Sequence, residues 1–171
     1  MVSLLHDSLF SNQLGDITAF NEINNEFEIK TFDGALTKII FYQSDIFRIW
    51  VGPDGNMTDP VGDEETPIVI YKNKPIRVNK SEENDFYKLE TESCILQIYK
   101  NPCTFSLYRK DNSTLLFEES SPITYGNESV QSIKKNMDDY YYGGGMQNGH
   151  FCHNDRTIQI ENIYDDKQNI W

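Results

Sequence analysis

The stretch FEIKTFDGALTKIIFY, residues 27 to 42, decides the fold class. Apolar and charged residues alternate from Phe27 to Thr31, the pair Asp33-Gly34 interrupts them, and a second β-rich run follows. Alternation on both sides of an Asp-Gly pair is the strongest short-range signal of a β-hairpin. We therefore expect two antiparallel strands here.

Similar runs recur along most of the chain, separated by short turn sequences. TFSLYRK and TLLFEE flank Asp111-Asn112 and predict a second hairpin. Further strands are predicted at residues 47–51, 66–71, 74–78, 87–100 and 156–162. The best helical candidate, residues 128–137, is short and weakly periodic. About nine or ten strands without alternating helices indicate an all-β fold, an antiparallel β-sandwich.

The chain of 171 residues is long enough for one domain. We predict that residues 25–171 form the sandwich. The preceding polar stretch, residues 1–24, has scattered apolar residues without a clear period, which predicts a polar N-terminal arm or an edge strand.

The charge balance argues against nucleic acids and membranes as partners. The chain has 27 acidic and 15 basic residues, a net charge of −12. Such a surface repels phosphate backbones and anionic lipids, and no run approaches the roughly 20 apolar residues of a membrane span. The opening MVSLLHDSLF lacks the basic and long apolar segments of a secretion signal. The location is left open, with the cytoplasm slightly favoured.

Metal and cofactor sites find little support. His150, Cys152, His153 and Asp155 supply ligand atoms, but on a strand His150 and Cys152 share one face while His153 takes the other. We therefore favour polar side chains of a loop over a zinc site, and expect no metal and no cofactor. Three cysteines without paired spacing, Cys94, Cys103 and Cys152, allow one disulfide bridge, but we favour three reduced thiols.

The stretch YYYGGGMQNGHFCH, residues 140 to 153, concentrates glycines and polar side chains beyond what a sandwich turn needs. Either the backbone passes close to a ligand or partner there, or it only turns. Tyr140 to Tyr142 are either half-buried strand residues or a platform on which sugars stack. No nucleophile elbow or phosphate-binding loop occurs in the chain, so no motif for nucleophilic catalysis or phosphate binding is found.

The order of several blocks resembles the N-terminal domain of glycoside hydrolase family 31, the family of α-glucosidases, α-xylosidases and related α-glucan transferases. The resemblance covers roughly residues 25 to 171 and is carried by FRIW (47–50), YKLET (87–91), ILQIYKNPCTFSLY (95–108), YYGGGMQNG (141–149) and RTIQIEN (156–162). The glycine-rich variant looks most like the bacterial branch that includes isomaltosyl transferases. Met146 stands where many α-glucosidases carry a glutamate, which leaves the substrate open.

This resemblance implies a galactose-mutarotase-like sandwich that packs on a catalytic (β/α)₈ barrel of the same polypeptide, with an α-glycan as the substrate of the parent enzyme. The catalytic aspartates of the family belong to the barrel, and the chain reads as truncated before it. The resemblance therefore implies that the chain is not catalytic by itself. A loop of the sandwich helps to wall the sugar pocket in family members. The residues that we assign to this loop are Tyr142, Gly143, Gly144, Gly145, Gln147, Asn148 and His150.

In this assignment Tyr142 anchors the loop, the glycines allow unusual backbone angles, and Gln147, Asn148 or His150 face substrate or barrel. Three alternatives stay open. The loop could only lock the sandwich onto the barrel. The chain could be a free-standing carbohydrate-binding module that presents Trp50, Trp171 or the tyrosines. It could also be a plain docking domain with an exposed apolar patch.

Overall fold

Alternating apolar and polar residues produce strands whose pairings are all antiparallel in the part of the chain that the computed structural model describes, residues 12–57, 76–111, 114–126, 128–143 and 151–158. The strands are β1 (Asn12–Gln13), β2 (Ile17–Ile23), β3 (Glu26–Thr31), β4 (Leu36–Phe41), β5 (Phe47–Gly52), β6 (Asn79–Glu82), β7 (Phe86–Glu90), β8 (Cys94–Lys100), β9 (Cys103–Arg109), β10 (Leu115–Tyr125) and β11 (Val130–Ile133). Within these ranges no helix could cross a membrane. The prediction of an all-β, antiparallel sandwich is confirmed.

A four-stranded sheet with the order β2-β3-β4-β5 contains the first predicted hairpin. Its register pairs Phe27 with Ile39 and Glu28 with Lys38. Gly34 lies in the connecting turn with a φ of 89°, a left-handed conformation that glycine adopts without strain. The Asp-Gly turn and the alternation beside it therefore fix this register together.

The second sheet has seven strands in the order β1-β10-β9-β8-β7-β6, with β11 also paired to β10. The long strand β10 pairs with β9 through residues 115–118 and with β1 and β11 through its second half. Register shifts interrupt these pairings, as β-bulges do. The predicted hairpin across Asp111-Asn112 is formed by β9 and β10.

The two sheets bury a common apolar core. Phe27, Ile29 and Ile39 of the smaller sheet and Leu96, Phe105 and other residues of the larger sheet belong to one cluster. The rings of Phe20 on β2 and Tyr87 on β7 lie 4.4 Å apart, which places side chains of both sheets in contact. Burial of these side chains is the main favourable contribution to folding.

Residues 87–100 were predicted as one strand, and this is wrong. The segment contains β7, a turn and β8, because the Thr91 hydroxyl accepts hydrogen bonds from the amides of Ser93 (3.2 Å) and Cys94 (3.0 Å). Such a side-chain bond to the backbone two or three residues later favours a turn. This turn divides the segment into the two strands of a hairpin, whereas the alternation of residues alone suggests one continuous strand.

The best helical candidate, residues 128–137, forms no helix, because Val130–Ile133 forms β11 against β10. Pairing with a neighbouring strand outweighs a weak local preference, and Val and Ile favour strands. Residues 76–78 and 156–158, predicted within strands, are not extended into any ladder. The predicted strand 66–71 lies outside the described residues.

The segment between β1 and β2 joins the two sheets. Leu14 is 1% exposed, its amide donates to the Ile123 carbonyl (3.0 Å), and the Gly15 carbonyl accepts from Cys103 (3.0 Å). The Asp33 carboxylate accepts from the Gly15 amide (2.9 Å) and from the Tyr125 hydroxyl. A turn of one sheet is thereby tied to the longest strand of the other.

Replacing Tyr125 with phenylalanine is expected to lower the free energy of unfolding at pH 7 by about 1 kcal/mol, the usual net contribution of a hydrogen bond. Burial acts to raise the pKa of Asp33, but hydrogen bonds from Tyr125, Thr31 and Gly15 outweigh it and leave the pKa lowered. A carboxyl with a lowered pKa stabilises the fold above its unfolded-state pKa and loses that contribution as the pH falls.

The destabilisation by Tyr125→Phe should therefore shrink on acidification below about pH 4. Urea titrations at pH 7 and pH 3 measure this. Tyr140→Phe, at a residue that is 65% exposed, is the matched control and should change nothing. An effect of equal size at both pH values would contradict the role of the Asp33 carboxylate.

Candidate functional site

The glycine-rich stretch lies in a second compact unit. Contacts divide the chain into Met1–Lys134 and Lys135–Trp171. In the second unit a turn forms where the Asp139 carboxylate accepts from the Asn136 amide (2.7 Å) and the Asp139 amide donates to the Asn136 carbonyl (3.2 Å). Lys135 and Asp155 form an exposed ion pair at 2.8 Å, which contributes little to stability.

The two ends of the glycine-rich stretch meet. The His153 amide donates to the Tyr141 carbonyl at 2.8 Å. The rings of Tyr142 and Phe151 lie 5.0 Å apart at an interplanar angle of 43°, within the range of favourable aromatic pairs. One backbone bond and one ring contact therefore join the residues on either side of 144–150.

Asn154 adds a side-chain connection that sequence reasoning missed. Its Oδ1 accepts from the Tyr141 amide (2.9 Å) and the Cys152 thiol (3.2 Å), and its Nδ2 donates to the Asp139 carbonyl (2.7 Å). The only sequence signal is an Asn-Asp pair, which is common in turns. Two of its three partners, Tyr141 and Asp139, lie 13 and 15 residues earlier, at a separation that no local pattern reports.

Two of the seven predicted loop residues lie in the described part of the chain. Tyr142 is 56% exposed and touches Phe151, itself 83% exposed, so its packing is local. Gly143 has a φ of 102°, and a Cβ there would meet nothing within 4 Å. Its backbone angle, and not lack of space, is thus what disfavours other residues. Gly144, Gly145, Gln147, Asn148 and His150 lie outside the described residues.

An open cleft of about 490 Å³ lies in the same unit. Its lining includes Lys135, Tyr141, His153, Asp155, Arg156 and Thr157. This set offers hydrogen-bond donors and acceptors of both charges beside one aromatic ring. Its charged side chains are two cations, Lys135 and Arg156, and one carboxylate, Asp155, which pairs with Lys135. Hydrogen-bonding groups beside an aromatic ring are suited to bind the hydroxyls of a polar ligand such as a sugar.

Within the described ranges we find neither a metal site nor a reactive buried thiol. No group of three or more His, Cys, Asp and Glu side chains there could hold a metal ion. All three cysteines are free thiols, with Cys94 and Cys103 buried and Cys152 half-buried. Burial raises the pKa of the Cys103 thiol strongly, so this thiol is inert as a nucleophile.

Trp50, proposed above as an exposed stacking residue, is half-buried in β5, and the Arg48 guanidinium carbon lies 4.2 Å from its ring centroid. One face of the indole is therefore covered within the chain. Trp171 lies outside the described residues. The exposed rings within the described ranges of the second unit are Tyr140, Tyr141, Tyr142 and Phe151.

Comparison with known proteins agrees with this architecture. Residues 36–166 match the family described as the glycosyl hydrolase 31 N-terminal galactose mutarotase-like domain. No curated protein sequence matches significantly.

Solved structures share the fold at low sequence identity. A GH31 dextranase of Flavobacterium johnsoniae, complexed with glucose, has a TM-score of 0.72 and 20% identity over 83% of this chain and 18% of its own. The cycloalternan-forming enzyme of Listeria monocytogenes, in complex with a pentasaccharide substrate, has a TM-score of 0.63 and 16% identity over 82% of this chain and 14% of its own. The chain thus spans less than a fifth of either protein.

Proposed function

This chain belongs to the family of N-terminal galactose mutarotase-like domains of glycosyl hydrolase 31, and on that premise we propose that it is the non-catalytic accessory domain of an enzyme acting on α-linked glycans. The sandwich packs on a (β/α)₈ barrel of the same polypeptide, and the stretch 140–153 reaches the sugar pocket. The family match, which extends to residue 166 and includes this stretch, carries the proposal.

The geometry of the second unit supports the pocket role of the loop. Gln147, Asn148 and His150 lie in sequence between Tyr141 and His153, whose backbones are bonded to each other. A loop with joined ends can present polar side chains with less loss of conformational entropy than an open one. The polar cleft beside these ends is of a size that accommodates a sugar unit.

Replacing Gln147 or His150 with alanine in the complete enzyme is expected to reduce kcat/KM on an α-gluco-oligosaccharide about tenfold, because one hydrogen bond to substrate is worth about 1–1.5 kcal/mol. Steady-state kinetics on isomaltotriose measure the effect. Gln43→Ala, in the turn between β4 and β5, is the matched control and should leave kcat/KM unchanged. Thermal denaturation of each variant separates a loss of binding from a loss of folding.

Unchanged kinetics with unchanged stability would contradict the substrate role and leave the loop only a contact between sandwich and barrel.

A second function is favoured by the exposure of Tyr140, Tyr142 and Phe151, at 65%, 56% and 83%. Rings so exposed are suited to stack on sugars in a free-standing carbohydrate-binding module. Calorimetric binding of isomaltotriose by the chain without a barrel, abolished by Tyr142→Ala, would favour that module over the accessory domain.

A further inference from the structure

The amide of Asn154 has a single orientation that satisfies its neighbours. The Tyr141 amide can only donate and the Asp139 carbonyl can only accept. Oδ1 therefore faces Tyr141 at 2.9 Å, and Nδ2 faces Asp139 at 2.7 Å. A reversed amide would place donor against donor and acceptor against acceptor, so one orientation makes both hydrogen bonds and the other makes neither.

These contacts bridge the two sides of the glycine-rich loop, which we define as residues 142–152. Asp139 and Tyr141 precede the loop, and Asn154 follows it. The backbone bond between Tyr141 and His153 lies next to the side-chain bridge. Asp155 has a φ of 57°, the left-handed conformation that Asp tolerates better than most residues, and so the chain turns directly after Asn154.

We propose that Asn154 is a positioning residue that holds the ends of the glycine-rich loop in register and thereby sets how the loop meets the sugar pocket. We call the two contacts of Asn154, with Asp139 and Tyr141, the clamp. The effect on the pocket rests on the function proposed above, whereas the clamp itself does not. The sequence places three glycines, Gly143 to Gly145, between the residues that Asn154 joins, and glycine has more backbone freedom than other residues. Fixing the two ends of such a segment lowers the entropic cost of ordering it on a ligand.

The test compares Asn154→Ala with Asn136→Ala in the complete protein. Asn136 lies in the same unit, and among the described residues its side chain bonds Asp139 alone, at 3.2 Å, on one side of the loop. The decisive observable is hydrogen exchange of the His153 amide at single-residue resolution. This amide donates to the Tyr141 carbonyl and not to Asn154, so its protection falls only if Asn154 maintains the register of both ends.

We expect exchange at His153 to rise at least about tenfold in Asn154→Ala and to stay unchanged in Asn136→Ala, and we expect KM for isomaltotriose to rise with kcat nearly unchanged. Asn154→Asp retains the acceptor for Tyr141 but lacks the donor to Asp139. It should therefore give an intermediate exchange rate.

Unchanged exchange at His153 in Asn154→Ala would overturn the clamp, whatever the kinetics. Faster exchange with unaltered KM would uphold the clamp and instead contradict the proposed contact between loop and substrate. The two failures are thus distinguished by separate measurements on the same variant.

Discussion

Replacing Phe105 with alanine is expected to lower the free energy of unfolding by about 3–5 kcal/mol, the usual cost of truncating a buried phenylalanine. Phe105 is fully buried at the centre of the larger sheet, where its strand position pairs with Ile98. The surrounding strands are held by ladders on both sides of β9. They can close only part of the cavity, and for this reason we expect a value within that range.

Urea titration followed by circular dichroism measures this change. Phe32→Ala is the matched control, because Phe32 is 85% exposed in the turn between β3 and β4. It should shift the free energy of unfolding by less than about 0.5 kcal/mol. Equal destabilisation by the two variants would mean that the common core of the two sheets is assigned wrongly.

The second large effect is expected at Glu119, a carboxyl that is 4% exposed. Its side chain accepts from the Phe105 amide (2.9 Å) and from the Gln131 side chain (2.7 Å). Glu119→Ala leaves the buried Phe105 amide without an acceptor, which alone costs about 1–3 kcal/mol, and the cavity adds to this. Glu118→Ala removes an exposed ion pair with Lys134 and should cost less than about 1 kcal/mol.

Glu119 also introduces a pH dependence opposite in sign to that of Asp33. Burial raises the pKa of Glu119, and the hydrogen bonds from Gln131 and Phe105 offset this only in part. The stabilisation associated with a raised pKa is complete below the pKa of the unfolded chain and is lost as the pH rises through the folded value. At neutral pH the buried charge is therefore a cost.

Glu119→Gln keeps the shape and removes the charge, so its stability relative to the unmodified chain should increase as the pH rises above about 4.5. Urea titrations at pH 4, 5.5 and 7 measure the difference. Asp33 contributes equally to both proteins and cancels. A difference that stays constant across these values would show that the carboxyl titrates as it does in the unfolded chain.

The sequence predicts the fold best where a turn and its flanking strands carry their signals in neighbouring residues. The hairpin around Asp33-Gly34 is of this kind, since turn type and alternation agree. The break at Thr91 was missed because it depends on one hydroxyl that bonds nearby amides. Val130–Ile133 was missed because its strand form depends on a partner in β10.

The sequence assigns a location to the candidate site, and this assignment stays a prediction, whereas the contacts that join the ends of the stretch could not be predicted. Clustered glycines and tyrosines in residues 140–153 mark a loop by composition alone. Asn154 gains its role from the Asp139 carbonyl and the Tyr141 amide, which become its neighbours only after folding. The burial of Leu14 in an otherwise polar segment has the same origin, because the residues that cover it come from distant parts of the chain.

The topology has a consequence for the order of events in folding. Among the described strands every ladder joins consecutive strands except that of β1 with β10, which pairs Asn12 with Tyr125. Consecutive hairpins close short loops, whereas this last ladder closes a loop of more than a hundred residues, and the entropy of loop closure opposes it. We therefore expect the hairpins to form the folding nucleus and the Leu14 segment to dock after the main barrier. Contacts of the β1–β10 ladder and the Leu14 segment should thus affect the unfolding rate more than the folding rate.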